Sequence, residues 1–317
     1  MPALLTHDFF GRDVYEHILE DAVPEVQDVF WQDGEFNQDA YELFLLGNQG
    51  PDPLLFAQFT SNFFAIKEFG SRLHRERADE TIESFMRIAC SMPQPQRTLL
   101  SAYLWGFICH FVLDSVVHPL VYAQQNALCD AGVKGLDRRD GPTVHAQIEA
   151  DLDMMVLWQR TGMSIRELDY TPFVLRASDE ALALLDRAYV AMAHEVFGHA
   201  LPEHAFAKGL RDMRWTIRVL YSPRGIKRCL IGKAERLFTR HSFAQAMSPC
   251  NHIGATCDFD NRMGEPWVNP ASGVVVTASF AQLYGQALEA AIANIHAVLE
   301  GKPVSEITAG LNFRGER

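Results

Sequence analysis

Residues Gly106 to Pro119 read GFICHFVLDSVVHP. Apart from Ser115, three side chains interrupt an apolar run: His110, Asp114 and His118, each four residues from the next. On an α-helix a step of four turns a side chain by only about 40° and advances it about 6 Å, so the three line one stripe. Burying two imidazoles and a carboxylate costs free energy unless each is satisfied. A divalent metal is the commonest solution. His110 and His118 are separated by about 12 Å of helix rise, too far for one ion with bonds of about 2 Å. Asp114 stands between them, and a carboxylate has two oxygens with which to bridge. The stripe therefore points to a multinuclear site. The competing reading is a helix of hydrogen-bonded core histidines with the aspartate bonded to one of them.

A second pair repeats the spacing. His145 and Glu149 sit four apart on a segment whose apolar positions include Ile148 and Leu152. An isolated pair of this kind is common on helix surfaces. Together with His118 it gives three protein ligands and an open fourth position, the pattern of catalytic rather than structural zinc. Asp153, one turn beyond Glu149, is placed to orient or replace a ligand, whereas Asp151 points elsewhere.

The chain has 317 residues, 48% hydrophobic and 21% charged, with a formal net charge of −12. That composition suits a globular protein with a sizeable core. It argues against duplex nucleic acid as a partner, because phosphate contacts need clustered Lys and Arg. The short basic run Arg224, Lys227, Arg228 and Lys233 reads as a solvated face. The start, MPALLTHDFFGRD, lacks the basic and apolar regions of a signal peptide, and no apolar run reaches 18 residues. A cytoplasmic location without a transmembrane segment is the expectation. Six cysteines, none in a CxxC pair, read as free thiols.

Periodicity and punctuation predict an all-α chain: one domain over 1–317, packed as a helix bundle. Thr6 caps a first helix through Asp8 to Leu19, and a short helix covers Tyr41 to Leu46. The Gly/Pro turn GNQGPDP holds Asp52. Helices follow over Leu54 to Phe69, Arg77 to Met92 and Leu99 to Val117, with Pro119 kinking or ending the last. Thr143 caps the helix of His145. Further helices cover Asp179 to Phe197, Phe206 to Tyr221 and Ala278 to Leu299. Gly273 to Thr277 alone resembles a strand. Phe56, Phe59, Phe63, Phe64 and Phe69 recur at near-helical spacing and are expected in the core, a lid over the site being the alternative.

The pattern His-x3-Asp-x3-His followed by His-x3-Glu resembles the zinc-dependent phospholipase C family, relatives of the S1/P1-type nucleases. GNQGPDPLLF around Asp52, LHRE around His74, EPWVNP near Trp267 and the SFAQLYGQA helix extend the resemblance over most of the chain. It implies an all-α bundle of the phospholipase C/P1 nuclease type holding two or three zinc ions. Asp52, His74, His110 and Asp114 would bind one zinc, and His118, His145 and Glu149 a second. Asp114 would bridge to a third, which His7 is also placed to bind. Two features depart from the secreted members. Those use the amino group of an N-terminal Trp, absent from MPALLTH, and their gap between the residues matching Asp114 and His118 is longer. The implied activity is hydrolysis of a phosphodiester or phosphomonoester, such as a phospholipid, by metal-activated water. Asp52 is also the candidate to orient that water. The alternatives are a single-strand nuclease or nucleotidase on the same metals, and a non-catalytic metal-stabilised binding protein.

Other motifs fail on spacing. His194, Glu195 and His199 read HEVFGH, one residue too long for the HExxH zinc-protease signature. GIKRCLIGK has the wrong spacing for a phosphate-binding loop, and no GxSxG elbow occurs.

Overall fold

A computed structural model describes residues 3–21, 23–32, 34–251 and 254–317. Among these, thirteen α-helices dominate and the strands are confined to two two-residue hairpins. The helices are α1 (Leu4–Glu20), α2 (Pro24–Phe30), α3 (Gln38–Gly47), α4 (Phe63–Leu73), α5 (Ala78–Ser91), α6 (Gln96–Asp130) and α7 (Gly141–Thr161). They continue with α8 (Asp179–Phe197), α9 (Ala205–Leu220), α10 (Ile226–Glu235), α11 (Phe243–Met247), α12 (Phe280–Leu299) and α13 (Val304–Thr308). The chain divides into two compact units. One comprises the start of the chain through Phe9, Val116–Phe173 and Trp215–Gly285. The other comprises Phe10–Ser115, Val174–Arg214 and Gln286–Arg317. We call them the His145 unit and the His74 unit.

In the His74 unit, large side chains fill the core: Phe10, Phe44, Phe85, Phe107 and Phe206 are fully buried. α3 and the first half of α6 cross backbone to backbone at Gly47 and Gly106. A Cβ on Gly47 would lie 2.2 Å from the Tyr103 carbonyl oxygen, and one on Gly106 would lie 2.0 Å from that of Phe44. Neither obstacle is a flexible side chain, so the crossing must open to admit a methyl group. Gly106→Ala is expected to destabilise the protein by about 3 kcal/mol, read as a lower urea midpoint at unchanged slope. A midpoint within error of wild type would contradict this close crossing.

Just past the crossing, Asn48 to Pro51 lies against α6. Gly50 has φ +50°, and a Cβ there would fall 2.2 Å from Cδ2 of His110. Both the backbone conformation and the approach require glycine. The Gly50 carbonyl accepts hydrogen bonds from the hydroxyls of Tyr103 and Tyr189, each 3.2 Å away. The loop carrying Asp52 is thus pinned at its base.

In the His145 unit, α7 buries Ile148, Leu152 and Leu157. Asp153 has a structural role here. Its carboxylate accepts from the backbone N–H groups of Leu5 and Thr6, at 3.2 and 2.8 Å, and from the Thr6 hydroxyl at 2.7 Å. These are the orphan donors of the first turn of α1. The aspartate expected to attend the metal ligands instead caps a helix, and Thr6 is a donor within the first turn rather than its cap.

Several boundaries differ from the sequence reading. Pro119 neither ends nor interrupts α6, which runs to Asp130. A proline removes one helical hydrogen bond, and the packed apolar residues Val117, Leu120 and Val121 hold the helix through it. Among the described residues α6 is the one helix long and apolar enough to cross a membrane, and 89% of its most apolar window is buried in protein. The expected helix from Leu54 to Phe69 is instead a 3-10 turn, Asp52–Phe56, followed by α4. Phe56 and Phe69 are buried as expected, whereas Phe59 and Phe64 are exposed. α7 begins at Gly141 behind Asp140, ahead of Thr143. The segment Gly273 to Thr277 contributes Val275–Val276, paired antiparallel with Trp267–Val268.

Candidate metal centre

Each unit holds one group of ligands within itself. In the His74 unit, Asp52, His74 and His110 each offer an atom within 4.8 Å of the others. Asp52 opens the 3-10 turn, His74 ends α4, and His110 lies in α6. Asp52 and His110 are buried. His74 Nε2 is 3.1 Å from Asp52 Oδ1. His110 Nε2 also lies 3.3 Å from Asp114 Oδ2. The opposite ring nitrogens are committed to backbone: His74 Nδ1 donates to the Gly70 carbonyl at 2.8 Å, and His110 Nδ1 to that of Asn48 at 3.0 Å. A carbonyl oxygen has no hydrogen, so each Nδ1 carries the proton. In the neutral ring, Nε2 then presents a lone pair. Phe313 is fully buried against both rings, with centroid distances of 5.3 and 5.6 Å.

In the His145 unit, His118 from α6 meets His145 and Glu149 from α7, again within 4.8 Å. Glu149 Oε1 is 3.2 Å from His145 Nε2 and 3.4 Å from His118 Nε2. His145 Nδ1 donates to the Gln125 side-chain oxygen at 3.0 Å. Tyr122 packs beside both imidazoles, 4.9 Å from His145 and 5.7 Å from His118 between ring centroids. Tyr122 and Gln125 are the additional residues here. Tyr122 is legible in retrospect as one further step of four along α6, while Gln125 has no motif of its own.

Electrostatics sharpens the picture. Burial pushes His145 below its ordinary value, against the pull of Glu149. Burial alone would raise Glu149, but its contacts with His145 and His118 hold it well below the usual range. The same contest lowers Asp52, where burial is outweighed by His74 and His110. A neutral His145 with its proton on Nδ1 directs a lone pair at a carboxylate oxygen. Two electron-rich atoms at 3.2 Å repel unless a cation lies between them. The donor set thus fits a divalent metal, with the Gly70, Asn48 and Gln125 oxygens setting the ring tautomers as outer-shell partners do.

His7 is buried in the first turn of α1. The rejected HEVFGH motif has other partners. Glu195 accepts from Ser84 and pairs with Arg87, and His199 stacks on Phe69 at 4.8 Å. No family model matches the chain, and no curated protein or solved structure matches it significantly. The class of site is therefore defined by its own donors: buried histidine and carboxylate groups able to hold metal ions.

Proposed function

We propose that the protein is a zinc-dependent phosphoesterase of the phospholipase C type, cleaving a phosphodiester or phosphomonoester. The observation that carries this reading is the repeated arrangement of imidazole Nε2 against carboxylate oxygen, at His74 with Asp52, His110 with Asp114 and His145 with Glu149. Nitrogen and oxygen donors in threes suit zinc with a position left for water or substrate. Asp52, His74, His110 and Asp114 would hold one ion, and His118, His145 and Glu149 another. Bound there, the metal supplies Lewis acidity toward phosphoryl oxygens and lowers the pKa of water from about 15.7 toward ~7. The protein's own part is to fix the imidazole tautomers through Gly70, Asn48 and Gln125. Asp52 accepts a proton from the attacking water and orients it, and Phe313 keeps bulk solvent from the His74 and His110 rings. The resemblance of the ligand spacing to the phospholipase C family supports phosphoester hydrolysis over other metal chemistry.

Metal analysis of protein purified without chelator tests the reading. At least two zinc ions per chain are expected, with one lost in His118→Ala. Fewer than two, unchanged by that substitution, would defeat it. A panel of a phosphatidylcholine analogue, single-stranded DNA and 3′-nucleotides then identifies the ester class.

A further inference from the structure

α10 is amphipathic the wrong way round. Its buried residue is Gly232, where a Cβ would meet the Gln245 side-chain oxygen at 2.2 Å. Polar anchors flank this contact. Arg228 Nε donates to the carbonyls of Gln245 and Ser248, each at 3.2 Å. Glu235 accepts from the Ser242 hydroxyl at 2.6 Å and the Ala244 N–H at 3.0 Å. The helix therefore rests on its small and polar side. Ile226, Leu230 and Ala234, at steps of four, face outward as one stripe, continued in sequence by Leu237 and Phe238. Their exposures are 61% for Ile226, 61% for Leu230, 78% for Leu237 and 89% for Phe238. A helix seated through Gly232 and two anchored charges cannot roll to bury this stripe without breaking them.

The charge around the stripe is opposite to that of the whole chain. Between residues 224 and 240 stand six cations and one carboxylate, in a protein of net charge −12. The carboxylate, Glu235, is turned inward as an anchor. Arg240 is paired with Asp137, whereas Arg224, Lys233 and Arg236 make no ion pair among the described residues. Lys227 donates to a backbone carbonyl, that of Arg218. An exposed row of Ile, Leu and Phe bordered by unpaired cations matches the chemistry of an anionic bilayer surface. Apolar side chains enter the headgroup boundary there while Lys and Arg meet lipid phosphates.

We propose that α10 and the turn after it form a docking surface for anionic lipid membranes. The proposal is independent of the hydrolytic reading, since docking needs neither metal nor turnover. It is tested by co-sedimentation of the full chain with vesicles of phosphatidylcholine alone and with about one-third phosphatidylglycerol. Partitioning to the anionic vesicles is expected to be at least about tenfold stronger and to weaken as salt rises. Two variants separate the components: Leu230→Glu with Phe238→Glu, and Lys227→Glu with Lys233→Glu. Each is expected to lower partitioning at least about tenfold while leaving the circular-dichroism melt unchanged, because all four side chains are exposed. Absent binding, equal binding to both vesicle types, or binding that survives both variants overturns the proposal. So does a self-associated species, seen by light scattering, that Leu230→Glu dissolves, which would assign the stripe to a second copy of the chain.

Discussion

Asp52→Asn is expected to reduce phosphoester turnover by about a thousandfold, roughly 4 kcal/mol of barrier, and to remove one metal ion from the protein. Asp52 is the carboxylate of the group it forms with His74 and His110, so its loss leaves two imidazoles and the single carboxylate of Asp114 to hold a dication. Asparagine keeps the shape and one carbonyl oxygen, but it neither neutralises the ion nor accepts a proton from water. Gly50 remains held by Tyr103 and Tyr189, so the loop's position should persist. The melting temperature of the metal-free variant then distinguishes the roles. A shift of no more than a few degrees beside a collapse in turnover marks a functional residue. Full turnover and full metal content in the variant would remove Asp52 from the site.

Much of the local structure was legible because it depends on residues close in sequence. The step of four from His145 to Glu149 and from His110 to Asp114 places each pair on one helix face, and α8 begins and ends where its Ser178 and Gly198 caps fall. What the sequence obscured depends on partners distant along the chain. Asp153 caps α1 across 147 residues, and its position one turn from Glu149 pointed to a metal role instead. Pro119 reads as a helix end because the packing that carries α6 past it is tertiary. The ring tautomers of His74 and His110 are set by backbone carbonyls, which leave no signature in the residue types at positions 70 and 48. The basic run Arg224 to Lys233 read as an ordinary solvated face. Only the burial of Gly232 shows that its apolar residues face outward as well.

Removing metal with a chelator at pH 8 is expected to lower the melting temperature by about 15 °C. A ligand at a thousand times its dissociation constant stabilises the folded state by about 4 kcal/mol. Two such sites in a chain of this size correspond to roughly 2 °C per kcal/mol. The difference should shrink as pH falls below about 6, because protons and metal compete for the same imidazole nitrogens and carboxylates. The metal-free protein has its own acid limb. His145 has a folded-state pKa below its ordinary 6.5, so its contribution is complete above that value and is lost as pH falls through the folded one. Asp52 and Glu149 are likewise depressed from 3.8 and 4.5, so they add a further loss at lower pH. Asp153 runs the other way. Burial lifts it to about 7 against its hydrogen bonds to Thr6 and Leu5. Its contribution is complete below its unfolded value of 3.8 and is lost as pH rises through about 7. Between 3.8 and about 7 Asp153 thus opposes the acid limb, and Asp153→Asn should steepen the rise of stability with pH over that range while leaving the curve above about 7 unchanged. Melting curves with and without chelator between about pH 5 and 9 measure both effects. Coincident curves at pH 8 would show that the buried imidazole and carboxylate groups balance one another without a metal.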